Sequence, residues 1–501
     1  MSVKNKSRDR HGPAWRPSLN DYLPVVTEQN PWMFSGDVPA TWAPPVERPL
    51  PALLADRLLA SKPERFQLVL GPRRVGKTTC LYQTVRRLLA AGIAPNRIRW
   101  MRLDHPLLMR FDLGALLGPV RNLATRADEP AFVFLDELTY AGDWDLWLKT
   151  FFDERWPLRI AGSSSSTAAL RERRLESGVG RWEEQYLAPY SFGEFLDLTA
   201  RATPITVDET LSATIAAAIR AGCDLTGLPA LRRRFLLTGG YPELLVAARA
   251  DTDGEDEAST LLRSQQVLRS DAVERAIYKD IPQTFAIDNP LMLERLLYTL
   301  AGQLTGLLSP QHLCRQLDGL SQPTFDRYLS YLERAFLVFT LPNYSGREGT
   351  VQRRGRRLYF VDGAVRNAAL QRGTGPLTDN KEMGLLHENL VAGHLHALAR
   401  QTQVRLYHWR DGNHEVDLIY DHPEQPVAFE IASSPRHPVT GLQRFMERFP
   451  RFAGRCYLVT PDPLCMPAGD ATGAVGLLPL DLLLLATSRQ AGAALARKLT
   501  V

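Results

Sequence analysis

Gly71-Pro72-Arg73-Arg74-Val75-Gly76-Lys77-Thr78 decides how this chain is read. The pattern Gly-x-x-x-x-Gly-Lys-[Ser/Thr] follows an apolar run, Phe66-Gln67-Leu68-Val69-Leu70, and opens a stretch of helical spacing that continues to Leu89. Strand, glycine turn and helix are the context in which this pattern forms a phosphate-binding loop. Gly71 and Gly76 let the backbone turn so that successive N–H groups face one concavity. The N-terminus of the following helix adds its positive end. Lys77 brings a point charge to β- and γ-phosphates, and the Thr78 hydroxyl suits Mg2+. Pro72, Arg73, Arg74, Val75 and Thr79 complete the candidate cradle. ATP and Mg2+ are the expected cofactors.

Working outward, residues 98–103, 131–135 and 158–161 read as further strands, the last a short one, separated by helix-length stretches. Strands alternating with helices imply a parallel sheet covered on both faces. Phe132-Val133-Phe134-Leu135-Asp136-Glu137 is an apolar strand ending in two carboxylates. Asp136 is expected to hold the magnesium shell, and Glu137 to orient and deprotonate the attacking water. Gly162-Ser163-Ser164-Ser165 ends a neighbouring strand in hydroxyls. Ser163 or Ser164 is a candidate sensor of the γ-phosphate, and a serine-rich turn is the plainer reading. Arg181, after Gly178-Val179-Gly180, is the candidate to neutralise transition-state charge in a neighbouring subunit. Arg171, Arg173 and Arg174 read as a solvated helical face.

The chain has 501 residues, enough for roughly three or four units. Apolar residues at 45% and charged residues at 23% exclude a wholly disordered chain. Cys80, Cys223, Cys314, Cys456 and Cys465 form no C-x-x-C pair, which argues against a disulfide scaffold and a zinc site of usual spacing. Scattered thiols fit a reducing cytoplasm. No apolar run reaches the roughly 18 residues a membrane span needs, and the N-terminus lacks an apolar signal core. A net charge of +5 permits a nucleic-acid partner without demanding one. Prolines at 13, 17, 24, 31, 39, 44, 45 and 49 forbid long helices at the start. Trp15, Trp32, Phe34 and Trp42 there suggest an extended arm partly docked on the body. Residues 193–281 read as helical, with an acidic break at 251–257 that suits a solvated loop. Three helical stretches follow over 290–344, then a glycine- and arginine-rich linker or hairpin over 346–357.

The loop, Leu135-Asp136-Glu137, Gly162-Ser163-Ser164-Ser165, Gly180-Arg181, Pro189-Tyr190-Ser191-Phe192-Gly193-Glu194-Phe195 and Gly239-Gly240-Tyr241-Pro242-Glu243 occur in that order. Together they resemble a large family of bacterial and archaeal ATP-binding proteins. These pair an AAA-type ATPase core with a C-terminal domain of unknown function that looks like a restriction endonuclease. The resemblance covers roughly residues 50–490, the last two elements being the most particular to it. It implies an α/β fold with a P-loop NTPase parallel-sheet core, a helical lid, a winged-helix-like unit and a C-terminal restriction-endonuclease-like α/β domain. The expected divisions are an arm at 1–49, the core at 50–195, the lid at 196–283, the winged-helix-like unit at 284–345 and the endonuclease-like domain at 346–501.

In that last domain, Tyr407-His408-Trp409-Arg410, Glu415-Val416-Asp417 and Phe429-Glu430-Ile431-Ala432 resemble the endonuclease core pattern. Asp417 and Glu430 stand where two carboxylates hold Mg2+, and Glu388 is a candidate third ligand from an earlier helix. Ala432 replaces the lysine that activates water, so cleavage is not expected. Ser433, Ser434 and Arg436 are poor substitutes, though a basic residue can migrate from elsewhere. Arg232-Arg233-Arg234 and Arg353-Arg354-Gly355-Arg356-Arg357 are dense enough to neutralise several phosphates. The expectation is a Mg2+-dependent ATPase doing conformational work on DNA, as a cytoplasmic homo-oligomer for which a ring is plausible. An ATP-gated protein-interaction switch and an ATP-powered nuclease are the alternatives.

Overall fold

The computed structural model describes residues 18–60, 65–122, 129–165, 180–199, 201, 203–245, 257–285, 287, 289–346, 355–462 and 475–499. Strand β1 (Phe66–Leu70) is buried at every position, as a strand covered on both faces requires. It pairs in parallel with β4 (Leu158–Ser164) on one side and β5 (Trp182–Tyr186) on the other. With β2 (Ile98–Arg102) and β3 (Ala131–Asp136) the sheet has the order β2-β3-β4-β1-β5, parallel throughout. In such sheets ligands bind outside the carboxyl ends of the strands. β4 runs past its expected end at Ala161, and its register sets Ser164 level with Leu70. The Lys77–Ala90 helix buries Cys80, Leu81, Val85 and Leu88 against the sheet, beside the Leu50–Leu59 helix.

The arm is docked, but it is not extended. Residues Leu19–Glu28 form a helix with Pro24 inside it, and Trp32–Ser35 a single turn. Docking explains the order: the Asn30 side chain accepts from the Trp100 amide at 2.6 Å and donates to the Trp100 carbonyl at 2.9 Å, and Trp32 is fully buried. Trp15 lies outside the described residues.

Helices Leu211–Ala221, Leu228–Thr238 and Glu257–Leu268 follow the core. Residues Arg269–Glu274 and Ala276–Asp280 then adopt the wider π-helical turn, a rare form that concentrates at functional places. Helices Pro290–Gly302, Pro310–Gln316 and Gln322–Arg334 come next. They lead into an antiparallel pair, β6 (Val338–Leu341) and β7 (Arg357–Phe360). The division expected at 345/346 falls inside this hairpin.

The C-terminal part is a second, mixed five-stranded sheet, whose strands in spatial order are residues 476–479, 456–460, 427–431, 414–420 and 406–411. Its strands are β8 (Leu406–Asp411), β9 (His414–Tyr420), β10 (Val427–Ile431), β11 (Cys456–Thr460) and β12 (Gly476–Pro479). Helices Asn380–Thr402 and Leu480–Arg497 pack on it and on each other. Among the described residues no helix is long and apolar enough to cross a membrane.

Candidate active site at the phosphate loop

The loop leaves β1 at Gly71, where a side chain has no room: a Cβ would stand 2.1 Å from the Leu187 carbonyl oxygen. Gly76, at φ 92°, turns the chain into the Lys77–Ala90 helix. Pro72 and Val75 are buried, while Thr78 is exposed and Thr79 half-buried. Lys77 is also buried, and its ammonium donates to the Gly71 and Pro72 carbonyls at 3.0 and 2.7 Å. Burial lowers its pKa against the opposing pull of Glu137 and Asp136.

Asp136 ends β3 and meets the loop across β4. The Thr78 hydroxyl donates to its Oδ2 at 3.0 Å, and Ser163 Oγ donates to Oδ1. Burial, and secondly the Glu137 charge, raises the Asp136 carboxyl to about 6, against the lowering effect of both hydroxyls. Glu137 follows in the left-handed region at φ 54°, uncommon for a residue with a side chain. Its N–H donates to Ser163 Oγ at 3.0 Å, and its Oε2 accepts from Ser165 Oγ at 3.2 Å. Ser163 thus touches both acids. Ser164, one step on, is buried at the end of β4. The hydroxyl and carboxylate of Thr78 and Asp136 are hard oxygen donors, a set that fits Mg2+.

Arg181 lies at the other end of the sheet. Its carbonyl accepts from the Phe66 amide at the start of β1, and its guanidinium takes both oxygens of Asp153 at 2.8 and 3.0 Å. It is therefore outside its own phosphate site. Arg171, Arg173 and Arg174 fall outside the described residues.

Structure also shows what the two family elements do. Ser191 and Glu194 form a capping box on the Phe192–Leu198 helix. The remaining amides of that turn are taken by the C-terminal helices: Phe192 N–H donates to His394 Nε2 at 2.8 Å and Gly193 N–H to Ser488 Oγ at 3.2 Å. Glu194 also receives Arg48 from the arm at 2.8 Å. Gly240 lies directly against Tyr190, whose N–H donates to the Gly240 carbonyl at 2.7 Å. A Cβ at Gly240 would stand 2.2 Å from the Tyr190 oxygen. Gly240→Ala is expected to cost about 1–3 kcal/mol through this overpacking, seen as a lower urea midpoint; an unchanged midpoint would mean the contact relaxes freely.

Glu388 and Asp417 do converge, but on a guanidinium that Glu430 does not contact. Arg357 Nη1 donates to Asp417 Oδ1 at 2.7 Å and to Glu388 Oε1 at 3.4 Å, and Nη2 to Glu415 Oε2 at 2.7 Å. Tyr359 Oη donates to Glu388 at 2.9 Å, and the Ile431 amide to Asp417 Oδ2 at 2.9 Å. Glu430 Oε2 is buried without a hydrogen bond. Burial, then the Asp417 charge, raises the carboxyls of both Glu388 and Glu430. Among the described residues no group of three or more His, Cys, Asp or Glu is placed to hold a metal ion, and Glu388 and Asp417 turn to Arg357 instead. The Ala432 amide is taken by the Val459 carbonyl at 2.9 Å. Arg357 has come in from β7 as the cation of this cluster.

Two arginines of the expected basic clusters are turned inward, while Arg233 and Arg356 are exposed. Arg357 is 5% exposed and Arg232 3%, the latter paired at 2.5 Å with buried Asp481. Arg233 donates to the Leu377 carbonyl at 2.8 Å. Arg353 and Arg354 lie outside the described residues.

A parallel sheet in this strand order, with the loop on β1 and the acid pair on β3, is the fold of a P-loop ATPase. Residues 63–196 match the family described as AAA domain. Residues 383–477 match Domain of unknown function (DUF4143), and residues 230–375 match Domain of unknown function (DUF8612). The chain thus joins an AAA domain to a C-terminal domain of unknown function. Two uncharacterized proteins of Methanocaldococcus jannaschii are similar to it. One is 23% identical over 365 residues, covering 71% of this chain and 72% of its own; the other is 25% identical over 384 residues, covering 74% and 76%. Among solved structures, the ORC2 protein of Aeropyrum pernix in ADPNP-ADP complexes overlaps 68% of this chain and 98% of its own, at 14% identity and a TM-score of 0.35. A score this low does not fix a fold, whereas the strand order does.

Proposed function

We infer that the chain is a Mg2+-dependent ATPase that turns hydrolysis into movement of the units beyond its core. The observation that carries this reading is the convergence of Lys77, Thr78, Asp136, Glu137 and Ser163 at one end of the sheet. Mg2+, held by Thr78 and Asp136, would neutralise charge on the β- and γ-phosphates. Loop amides and Lys77 bind and orient the phosphates. Ser163 fixes the acid pair, and Glu137 takes a proton from the water that attacks the γ-phosphorus. Arg181 is proposed to act on a neighbour's nucleotide in a homo-oligomer, since it lies far from its own loop.

DNA remains the proposed object of the work. The three helices followed by the β6–β7 hairpin have the element order of a winged helix, and the C-terminal sheet sets Asp417 and Glu430 on adjacent strands as in a restriction-endonuclease-like core. The arginine at the centre of that acid cluster favours a binding role over cleavage. Burial of Arg232 and Arg357 supports a second reading, an ATP-gated switch for a protein partner. Calorimetry with ATP and Mg2+, then phosphate release with and without duplex, single-stranded and forked DNA at several salt concentrations, separates the readings. Heat of binding, turnover and salt-sensitive stimulation by DNA are expected. Turnover indifferent to every DNA would favour the switch, and no heat with ATP would remove the ATPase.

A further inference from the structure

Arg73 and Arg74 occupy loop positions where phosphate binding asks only for backbone amides. Both are held by carboxylates from beyond the core. Arg73 grips the two oxygens of buried Asp280 through Nε and Nη2. Arg74, in the left-handed region at φ 64°, bridges Glu243 and Asp271. Glu243 closes the Gly-Gly-Tyr-Pro-Glu element, whose Pro242 lies beside Gly76. Asp271 and Asp280 stand on the two π-helical stretches, 269–274 and 276–280. On the same segment Lys279 Nζ lies 5.5 Å from the ring centre of Tyr140, three residues after Glu137.

The segment is also tied to the three-helix unit. Tyr278 Oη donates to Glu294 Oε2 at 2.7 Å, and Tyr298 Oη to Glu294 Oε1 at 2.7 Å. A short stretch of wide turns therefore touches the phosphate loop and the Pro290–Gly302 helix together. π-Helical turns are rare and are found mostly at functional sites, and this stretch spans the gap between the two.

We propose that the Arg73–Asp280 and Arg74–Asp271–Glu243 ion pairs form a latch that ATP opens: triphosphate entering the loop draws the guanidinium groups from their carboxylates and frees residues 269–285 to move with the three-helix unit. This rests on the ATPase reading of the site and names its means of control. The charges of Asp280 and Lys77 act on each other across the loop, so a polyanion seated at Lys77 confronts Asp280 with like charge. Guanidinium forks also donate to phosphate oxygens as readily as to carboxylate oxygens. Both effects work in the same direction, and both grow with phosphate charge, so a triphosphate opens the latch more than a diphosphate. No covalent bond is made or broken. The ion pairs exchange partners, and the binding energy of the nucleotide shifts a pre-existing equilibrium.

Hydrogen exchange on the full-length chain tests the latch, using a non-hydrolysable ATP analogue with Mg2+ at a saturation established by calorimetry. Residues 269–285 are expected to exchange about tenfold faster with the analogue than without it. Asp280→Asn is expected to show the fast rate in the absence of nucleotide. Should that variant fail to fold, Arg73→Gln serves for the same measurement with the same expectation. Saturating analogue that leaves 269–285 unchanged or slower overturns the latch while the ATPase reading stands. Absence of any binding heat removes the ATPase reading and the latch with it.

Discussion

Glu137→Gln is expected to lower steady-state ATP hydrolysis by about 10²–10⁴-fold, the usual worth of a general base, while leaving nucleotide affinity nearly unchanged. The geometry makes this substitution selective. Glu137 receives Ser165 Oγ on one carboxylate oxygen and gives its own N–H to Ser163, and an amide of the same shape preserves both bonds. What is lost is the capacity to take a proton. Asp136→Asn should behave differently, because Thr78 and Ser163 both aim their hydroxyls at the Asp136 carboxylate; the deficit there should appear in Mg2+-dependent binding. Wild-type turnover in Glu137→Gln, measured as phosphate release, would show that another group activates the water.

Arg357→Met should lower stability by about 3–5 kcal/mol, the cost of stranding buried charge without its partner. The guanidinium reaches Glu388, Glu415 and Asp417 from a site 5% exposed. The deficit should also depend on pH with a definite sign. Glu388 and Glu430 have raised folded-state values. A carboxyl of that kind contributes stability that is complete below its unfolded value and is lost as pH rises through the folded one. Arg357 offsets that loss by stabilising the ionised forms. The gap in urea midpoint between wild type and Arg357→Met should therefore widen from about pH 6 to about pH 9. A gap that narrows over this range would mean that the acids do not depend on the arginine.

Local chemistry was legible in the sequence, and long-range pairing was not. The loop, the acid pair and the serine-ended strand announce themselves because each is a short run whose spacing is fixed by backbone geometry. β5 did not, since Trp182-Glu183-Glu184-Gln185-Tyr186 is an edge strand with three polar residues and no apolar run. β12 is only four residues long. The arm helix was hidden by Pro24, whose helical context depends on docking through Asn30 and Trp32. The inward turn of Arg232 and Arg357 was hidden for a different reason. Nothing in Arg232-Arg233-Arg234 reveals that Asp481 lies beneath the first of them, and nothing near Arg357 reveals that Glu388, Glu415 and Asp417 gather round it. The same distance in sequence concealed Asp271, Asp280 and Glu243 as partners of the loop.

The AAA match ends at 196, inside the Phe192–Leu198 helix. That helix begins with amides satisfied by His394 and Ser488, from helices at the far end of the chain. A fragment cut at the match boundary would leave those donors bare and uncover the apolar faces of both C-terminal helices. Expressed separately, the two halves should be insoluble or associate on mixing; the intact polypeptide should melt in one step, and recombinant work on an excised AAA domain would misjudge its capabilities.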